Sequence, residues 1–384
     1  MLQRISIPIL GLALLAAAAA PAVAGVKLVE KDDKWVEIGG RIQLQYHMVD
    51  PDGGDSEDEL FFRRLRPYIE ASITKNWAGK IEFDFGEAEG DNEVKVKDAY
   101  MEYSGFKNLT VILGNSNPTY SREFITSSKR QQLIERTFVG DHNYGSPDRV
   151  LGLKLEGHND SKKVAWAAMF GSEDVDPDAK KLDFDTPVNP NSDFNQGWIV
   201  GGRVDFHPLG AMKYDQGSFG SKTLYTISLG AFSWANDDDN NTFTSNGMST
   251  SSSKADIDTA TGFEISGGLR TGGLSLDAQY NLISADTVDN NFTGGLYRDG
   301  STDLDVYSLE GGYMFQNKFE VVLGYQSLDA DNYADSWNRT SVGFNYFWAK
   351  HDVKWQLTYQ IGENLDGVAG RDANELFLQW QYVF

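Results

Sequence analysis

Residues 374–384 read NELFLQWQYVF. In extended backbone Leu376, Leu378, Trp380, Tyr382 and Phe384 share one face, while Glu375, Gln379 and Gln381 share the other, because successive side chains of a strand point to opposite sides. One face is apolar and rich in rings; the other carries hydrogen-bonding groups. Such a strand wants its aromatic face against something apolar. A β-sandwich edge would satisfy it equally well, so the reading depends on whether the pattern recurs.

It recurs along the whole chain. Within 35–48, Val36, Ile38, Ile42, Leu44, Tyr46 and Met48 oppose Glu37, Arg41, Gln43, Gln45 and His47. Within 61–73, Phe61, Leu65, Ile69, Ala71 and Ile73 oppose Arg64, Arg66, Tyr68, Glu70 and Ser72. Equivalent runs lie at 80–86, 151–156, 198–206, 319–325, 342–348 and 353–361. Each belongs to a run of about nine to fourteen residues, enough to cross a bilayer when tilted.

The connectors alternate in length. Short links fall at 75–79, 105–108, 159–162, 271–273, 316–318 and 349–351, and one on the same side, 207–221, is longer than its peers. Between them lie polar stretches at 49–59, 89–93, 117–147, 172–196, 235–261, 286–302, 329–337 and 364–372. This predicts sixteen strands, including 94–104 and 224–234, with both ends of the sheet on the short-turn side. Residues 26–34 read as a short leader.

The first 24 residues form a secretory signal: Arg4, an apolar run from Ile5 to about Ala20, and the small-x-small site Ala22-Val23-Ala24. Gly25 is the expected mature N-terminus, and residues 25–384 one barrel domain. With no cysteine, a disulfide framework is excluded. Only one of the 34 basic residues lies in the signal, so the mature chain keeps 56 acidic residues and a formal charge near −23, which argues against a nucleic-acid partner.

Alternation alone also fits a soluble sandwich. Three features favour a membrane. Aromatics fall at strand ends (Trp77, Tyr103, Trp234, Trp348, Tyr382, Phe384), as in interfacial girdles. Sixteen strands enclose a lumen too wide for side chains to fill. The polar face carries many charges, costly in a dry core unless paired. The fold class is therefore all-β: a transmembrane antiparallel β-barrel of sixteen strands, with short periplasmic turns and long extracellular loops.

Two constellations stand out. In Phe61-Phe62-Arg63-Arg64-Leu65-Arg66, alternation puts Arg64 and Arg66 in the lumen, with Arg63 near the rim. Arg41, Lys80, Lys154, Arg203, Arg270 and Lys354 are further inward positives. Guanidinium groups on a pore wall attract anions. The opposing reading is that each pairs with one of the inward carboxylates: Glu70, Glu82, Asp84, Asp98, Glu102, Glu156, Asp205, Glu264, Glu310 or Glu320. The second constellation is the third long loop, 117–147. It holds Arg122, Lys129, Arg130 and Arg136 beside Glu123, Glu135 and Asp141, with Phe124, Ile125, Leu133, Ile134, Phe138 and Val139 in need of burial. Folding into the barrel mouth would bury them; packing on a neighbouring protomer is the alternative.

Gly40-Arg41-Ile42-Gln43-Leu44-Gln45-Tyr46, the Phe-Phe-Arg-Arg-x-Arg strand, Lys97-Asp98-Ala99-Tyr100-Met101-Glu102-Tyr103 and Gly114-Asn115 before a long third loop resemble the phosphate-selective porin O and P family. The resemblance covers essentially the mature chain and is strongest over 35–150. It implies a sixteen-stranded barrel, a homotrimer, an inward third loop and an arginine ladder carried by Arg41, Arg63, Arg64 and Arg66. The expected pore-lining set is these four with Arg122, Lys129, Arg130 and Arg203, and the expected function passive diffusion of small hydrophilic solutes, including anions such as phosphate.

The chain departs from phosphate-selective members at the fifth loop, where Asp237-Asp238-Asp239 and a single Lys254 replace clustered lysines. The fourth adds Glu173, Asp174, Asp176, Asp178, Asp183, Asp185 and Asp193 against Lys180 and Lys181. Such a vestibule depletes anions, so a general or cation-preferring pore competes with an anion-selective one. The acidic loops also suit lipopolysaccharide bridged by divalent ions. His47, His142, His158, His207 and His351 show no metal-ligand spacing, and neither a resident cofactor nor catalysis is expected. The alternatives are a sheath housing a periplasmic electron-transfer partner, or an adhesin or receptor built on the loops.

Overall fold

The computed structural model describes residues 25–86, 94–188, 195–220, 222–236 and 243–384. The signal sequence expected at 1–24, the second loop at 89–93, Asp193 and the Asp237-Asp238-Asp239 run lie outside the described residues.

Sixteen long strands form the wall: β1 (Lys34–Pro51), β2 (Glu57–Thr74), β3 (Trp77–Asp84), β4 (Lys95–Phe106), β5 (Leu109–Ser116), β6 (Val150–His158), β7 (Val164–Asp176) and β8 (Asn195–Phe206). They continue as β9 (Leu224–Asn236), β10 (Ile257–Thr271), β11 (Leu274–Thr287), β12 (Ser301–Phe315), β13 (Phe319–Ala330), β14 (Trp337–Ala349), β15 (Val353–Glu363) and β16 (Ala373–Val383). Each pairs antiparallel with the next. The sheet closes where β1 meets β16, from Arg41 opposite Val383 to Pro51 opposite Ala373. Gly40 and Phe384 exchange backbone hydrogen bonds of 2.8 and 3.0 Å at the seam.

Burial reverses the pattern of a soluble protein. Outward Leu309 and Leu323 are 56% and 62% exposed, whereas inward Gln43 and Glu264 are fully buried. This is the economy of a barrel in lipid: an apolar band outside, hydrogen-bonding groups inside, and no open edge. Among the described residues no helix is long and apolar enough to cross a membrane; the strands cross it. Trp77 packs on Tyr103 at 4.9 Å, and Tyr346, Trp348 and Trp355 cluster at the same end of neighbouring strands, forming an aromatic girdle.

Six of the short-side turns span two to five residues. Gly272 and Gly273, both at positive φ, make the tight primed turn that matches strand twist.

Several expectations are corrected. Residues 26–34 are not a loose leader: Val26–Lys31 folds back as a strand on Lys34–Ile38. Strands extend further than their alternation suggests, so the first loop shrinks to 52–56. Trp234 is not a girdle residue. Its ring is buried on the inner face and its Nε1 donates to the Glu173 carbonyl at 2.8 Å. Phe61 does not share the outer face, because a bulge at Arg63 switches the phase of β2. Gln43 pairs with Arg64 but Leu44 with Phe62, so Phe62 turns to lipid and Phe61 inward. An extra residue in one strand does this by construction.

Candidate functional site: the third loop and the arginine wall

The third loop, 117–149, enters the lumen between β5 and β6. It opens with one helical turn, α1 (Arg122–Ile125), capped by Ser121, whose Oγ accepts from Phe124 N at 3.1 Å. Main chain taken out of water must find partners, and here the far wall supplies them. Gln132 O accepts from Asn345 Nδ2 and Gln356 Nε2, both at 2.9 Å. Lys354 Nζ donates to Gln131 O at 2.8 Å, and Gln381 Nε2 to Lys129 O at 3.0 Å. Phe138 N donates to Gln326 Oε1 at 2.7 Å and Glu123 N to Gln279 Oε1 at 3.0 Å. The wall from β11 to β16 is thus a cradle, largely of neutral amides, for the loop backbone.

Five of the loop's six apolar residues find burial as expected, and Ile125 is half-buried. Phe124, Leu133, Ile134, Phe138 and Val139 are buried. Leu133 occupies space left by Gly324 and Gly343; a methyl group on Gly324 would come within 2.8 Å of its Cδ1. Phe138 packs edge-on against Trp337 at 4.9 Å and Tyr144 at 5.2 Å. This contact belongs to a larger apolar core that includes Phe184, Trp234, Leu296 and Tyr297, where the outer loops pack over part of the mouth.

The adjoining wall across the seam, β1 to β5, is charged. Arg41 pairs with Glu82 at 3.2 Å and donates to Ser128 Oγ of the loop at 2.8 Å. Arg66 meets Asp84 at 2.5 Å. Lys80 bridges Glu82 and Asp98, at 2.8 and 2.6 Å, and Arg149, at the loop's return, binds Asp98 and Asp148 at 2.9 and 3.0 Å. Arg63 grips Glu135 through two hydrogen bonds of 2.8 and 2.9 Å. Burial pushes the Glu135 carboxyl up, but Arg63 overrides it and holds the group down at about 2.

Arg64 differs. It is 4% exposed, donates to Gln43 Oε1 at 3.1 Å, and leaves its Nε without a partner. Among the described residues no carboxylate lies within ion-pair distance of it, and Arg63, Arg66 and Arg136 crowd it against the more distant carboxylates of Glu135 and Asp84. The Arg63 bulge aims both arginines inward, which brings Arg63 to the loop rather than the rim.

Arg41, Arg63, Arg64 and Arg66 therefore share one wall, with Lys129 beside Arg41. Arg130 faces Asp215 and Asp352, at 3.7 and 4.0 Å. Arg122 and Arg203 form a separate buried cluster around the Tyr214 ring, where Arg203 meets Glu264 at 2.7 Å and Asp205 at 3.0 Å. Glu173 and Asp174, read as loop carboxylates, are buried at the end of β7.

Two groups of residues escaped the sequence reading. The amides of the cradle carry no charge to draw attention. Lys97 was assigned no role in the site, although its ammonium reaches Asp148 at 3.4 Å. A second bulge, between Glu82 and Phe83 of β3, leaves Lys97 unpaired in the register.

A closed barrel with an apolar exterior, a polar lumen and a loop laid across it defines an outer-membrane channel for small solutes. The chain belongs to the phosphate-selective porin O and P family, whose model matches residues 36–384. Porin O of Pseudomonas aeruginosa is 28% identical over 117 residues, 29% of this chain and 27% of that one. An anion-selective porin from Comamonas acidovorans is 13% identical, with 91% of this chain and 100% of that one covered and a TM-score of 0.62. OmpT of Vibrio cholerae, as a loop-deletion mutant, is 16% identical over 92% of this chain and 100% of that one, with a TM-score of 0.62. In a trimer form it is 15% identical over 91% and 99%, with a TM-score of 0.56.

Proposed function

We propose that this porin passes small anions passively, phosphate among them, along the wall that carries Arg41, Arg63, Arg64 and Arg66. The observation that carries this reading is Arg64, a buried guanidinium with no carboxylate within ion-pair distance among the described residues. Its neighbours are mostly neutralised, so Arg64 supplies the net positive field of this wall, where low dielectric magnifies it. Family membership and the selectivity named for the Comamonas porin support the choice over a cation-preferring pore. The acidic outer loops oppose it at a distance, where salt screens them. The third loop crosses the lumen from wall to wall, through the space in which a sheath would hold a folded partner.

The working form is proposed to be a homotrimer, as in the trimer form of OmpT, seated among outer-membrane lipid and lipopolysaccharide after removal of residues 1–24. N-terminal sequencing of the membrane form tests the cleavage. The pore reading is tested in planar bilayers by reversal potentials in a salt gradient, comparing chloride with phosphate. Stepwise conductance with an anion-side potential is expected; a barrel that inserts and never conducts overturns it.

A further inference from the structure

The seventeen residues between β8 and β9 far exceed the other periplasmic turns. The described part, 207–220, does not hang into the periplasm. It climbs into the lumen and ends against the underside of the third loop. Met212, Gln216 and Ser218 are buried, and Arg270 of β10 donates to the Asp215 carbonyl at 3.2 and 2.5 Å.

Gln216 makes the junction, and every polar group it owns is used. Its N donates to Arg130 O at 3.0 Å and its Oε1 accepts from Gln132 N at 2.7 Å, both on the third loop. Its Nε2 donates to Glu310 of β12 at 2.8 Å, and its carbonyl contacts His351 Nε2 at 2.9 Å. One amide residue therefore ties the loop, the wall and a neighbouring turn together. A buried group with four partners has no alternative position of similar energy, since moving it strands all four.

We propose that 207–220 is a periplasmic strap that fills the lumen beneath the amide wall, and that Gln216 is the positioning residue that fastens it to the third loop. The strap makes the arginine wall the obligatory route, so it sets both the width and the selectivity of the pore. This rests on the anion-conducting reading for selectivity, though not for width.

The test is single-channel recording of the full-length protein. Gln216→Glu sets a second carboxylate against Glu310 and should unseat the strap. Conductance then rises several-fold and the reversal potential moves toward zero as ions bypass Arg64. Adding Glu310→Gln restores the hydrogen bond with its donor and acceptor exchanged, and should return both values; a residue needed only for folding would show no such rescue. Replacing 211–219 with a short Gly-Ser link should open the pore without placing charge in it. Unchanged conductance in both openings overturns the strap. A wild-type channel with no anion preference, but with conductance that still rises, overturns the anion reading and leaves the strap standing. The chain has no cysteine, so Ser218→Cys offers a readout in an otherwise unaltered pore: its thiol should resist a membrane-impermeant reagent, and labelling as fast as in unfolded protein also overturns the proposal.

Discussion

Arg63 on the barrel wall and Glu135 on the third loop are joined by two parallel hydrogen bonds, Nε to Oε1 at 2.8 Å and Nη2 to Oε2 at 2.9 Å. The pair bridges the slot between loop and charged wall, and it exists because a bulge spends one residue of β2 to aim Arg63 inward. Bidentate pairing fixes both ends in angle as well as distance, so the loop is held to the charged wall as well as to the amide cradle.

Glu135→Gln keeps an acceptor for Arg63 but removes the charge that opposes Arg63 and Arg64. Loss of the charge-assisted bond costs about 1–3 kcal/mol, while the wall becomes more positive. Anion preference should increase, read as a reversal potential shifted further to the anion side. A shift toward cations would contradict this.

Arg64 and Arg66 should behave differently although they are two residues apart. Arg64→Gln strands no carboxylate, so the barrel should keep its urea midpoint while anion preference falls. Arg66→Gln leaves Asp84, its partner at 2.5 Å, buried without an ion-pair partner and held only by the Leu65 and Gly86 amides, at a cost of about 3 kcal/mol. Urea titration in liposomes separates the two; equal stability losses would refute the pairing argument.

The His142 imidazole of the third loop binds Asp183 of the fourth at 2.7 Å. Burial lowers its pKa, but Asp183 outweighs burial and raises it to about 9. A raised histidine stabilises fully below its unfolded value near 6.5 and loses that contribution as pH climbs through about 9. Protection factors at 182–184, which correct for the ordinary base catalysis of amide exchange, should therefore fall above pH 9 in the wild type. His142→Gln should lack this alkaline transition.

Phe138 joins the loop to the apolar core of the outer mouth through Trp337 and Tyr144. Phe138→Ala should cost about 3–5 kcal/mol by cavity formation. Larger fluctuations in open-channel current, with ion preference retained, would show that the core steadies the loop without touching the ions.

The fold was legible because lipid and lumen impose one rule on every strand, and period-two alternation reports it directly. The inward direction of Arg64 and Arg66 followed from the same rule, and the burial of Leu133 and Phe138 from the apolar content of a loop too long and too greasy for water. Arg63, Phe61 and Lys97 did not, since a bulge changes phase without any mark in composition. Trp234 was misread because an aromatic at a strand end serves an outer girdle or an inner core equally well. The amide cradle was illegible for another reason: Gln279, Gln356 and Gln381 matter through backbone groups far away in sequence, which no local pattern encodes. The length of 207–221 was visible, but its direction was not.

The seam between β1 and β16 has a meaning in time. Gln43 and Gln381, 338 positions apart, share a hydrogen bond of 2.6 Å across it, whereas most other wall contacts join strands that leave the ribosome in succession. The first strand must therefore wait, with one edge unpaired, until almost the whole chain has been made and exported. An unpaired edge is a template for aggregation, and distant pairings are slow to form. Any sheet formed before that moment keeps two unpaired edges, and the barrel is closed only when its two ends meet.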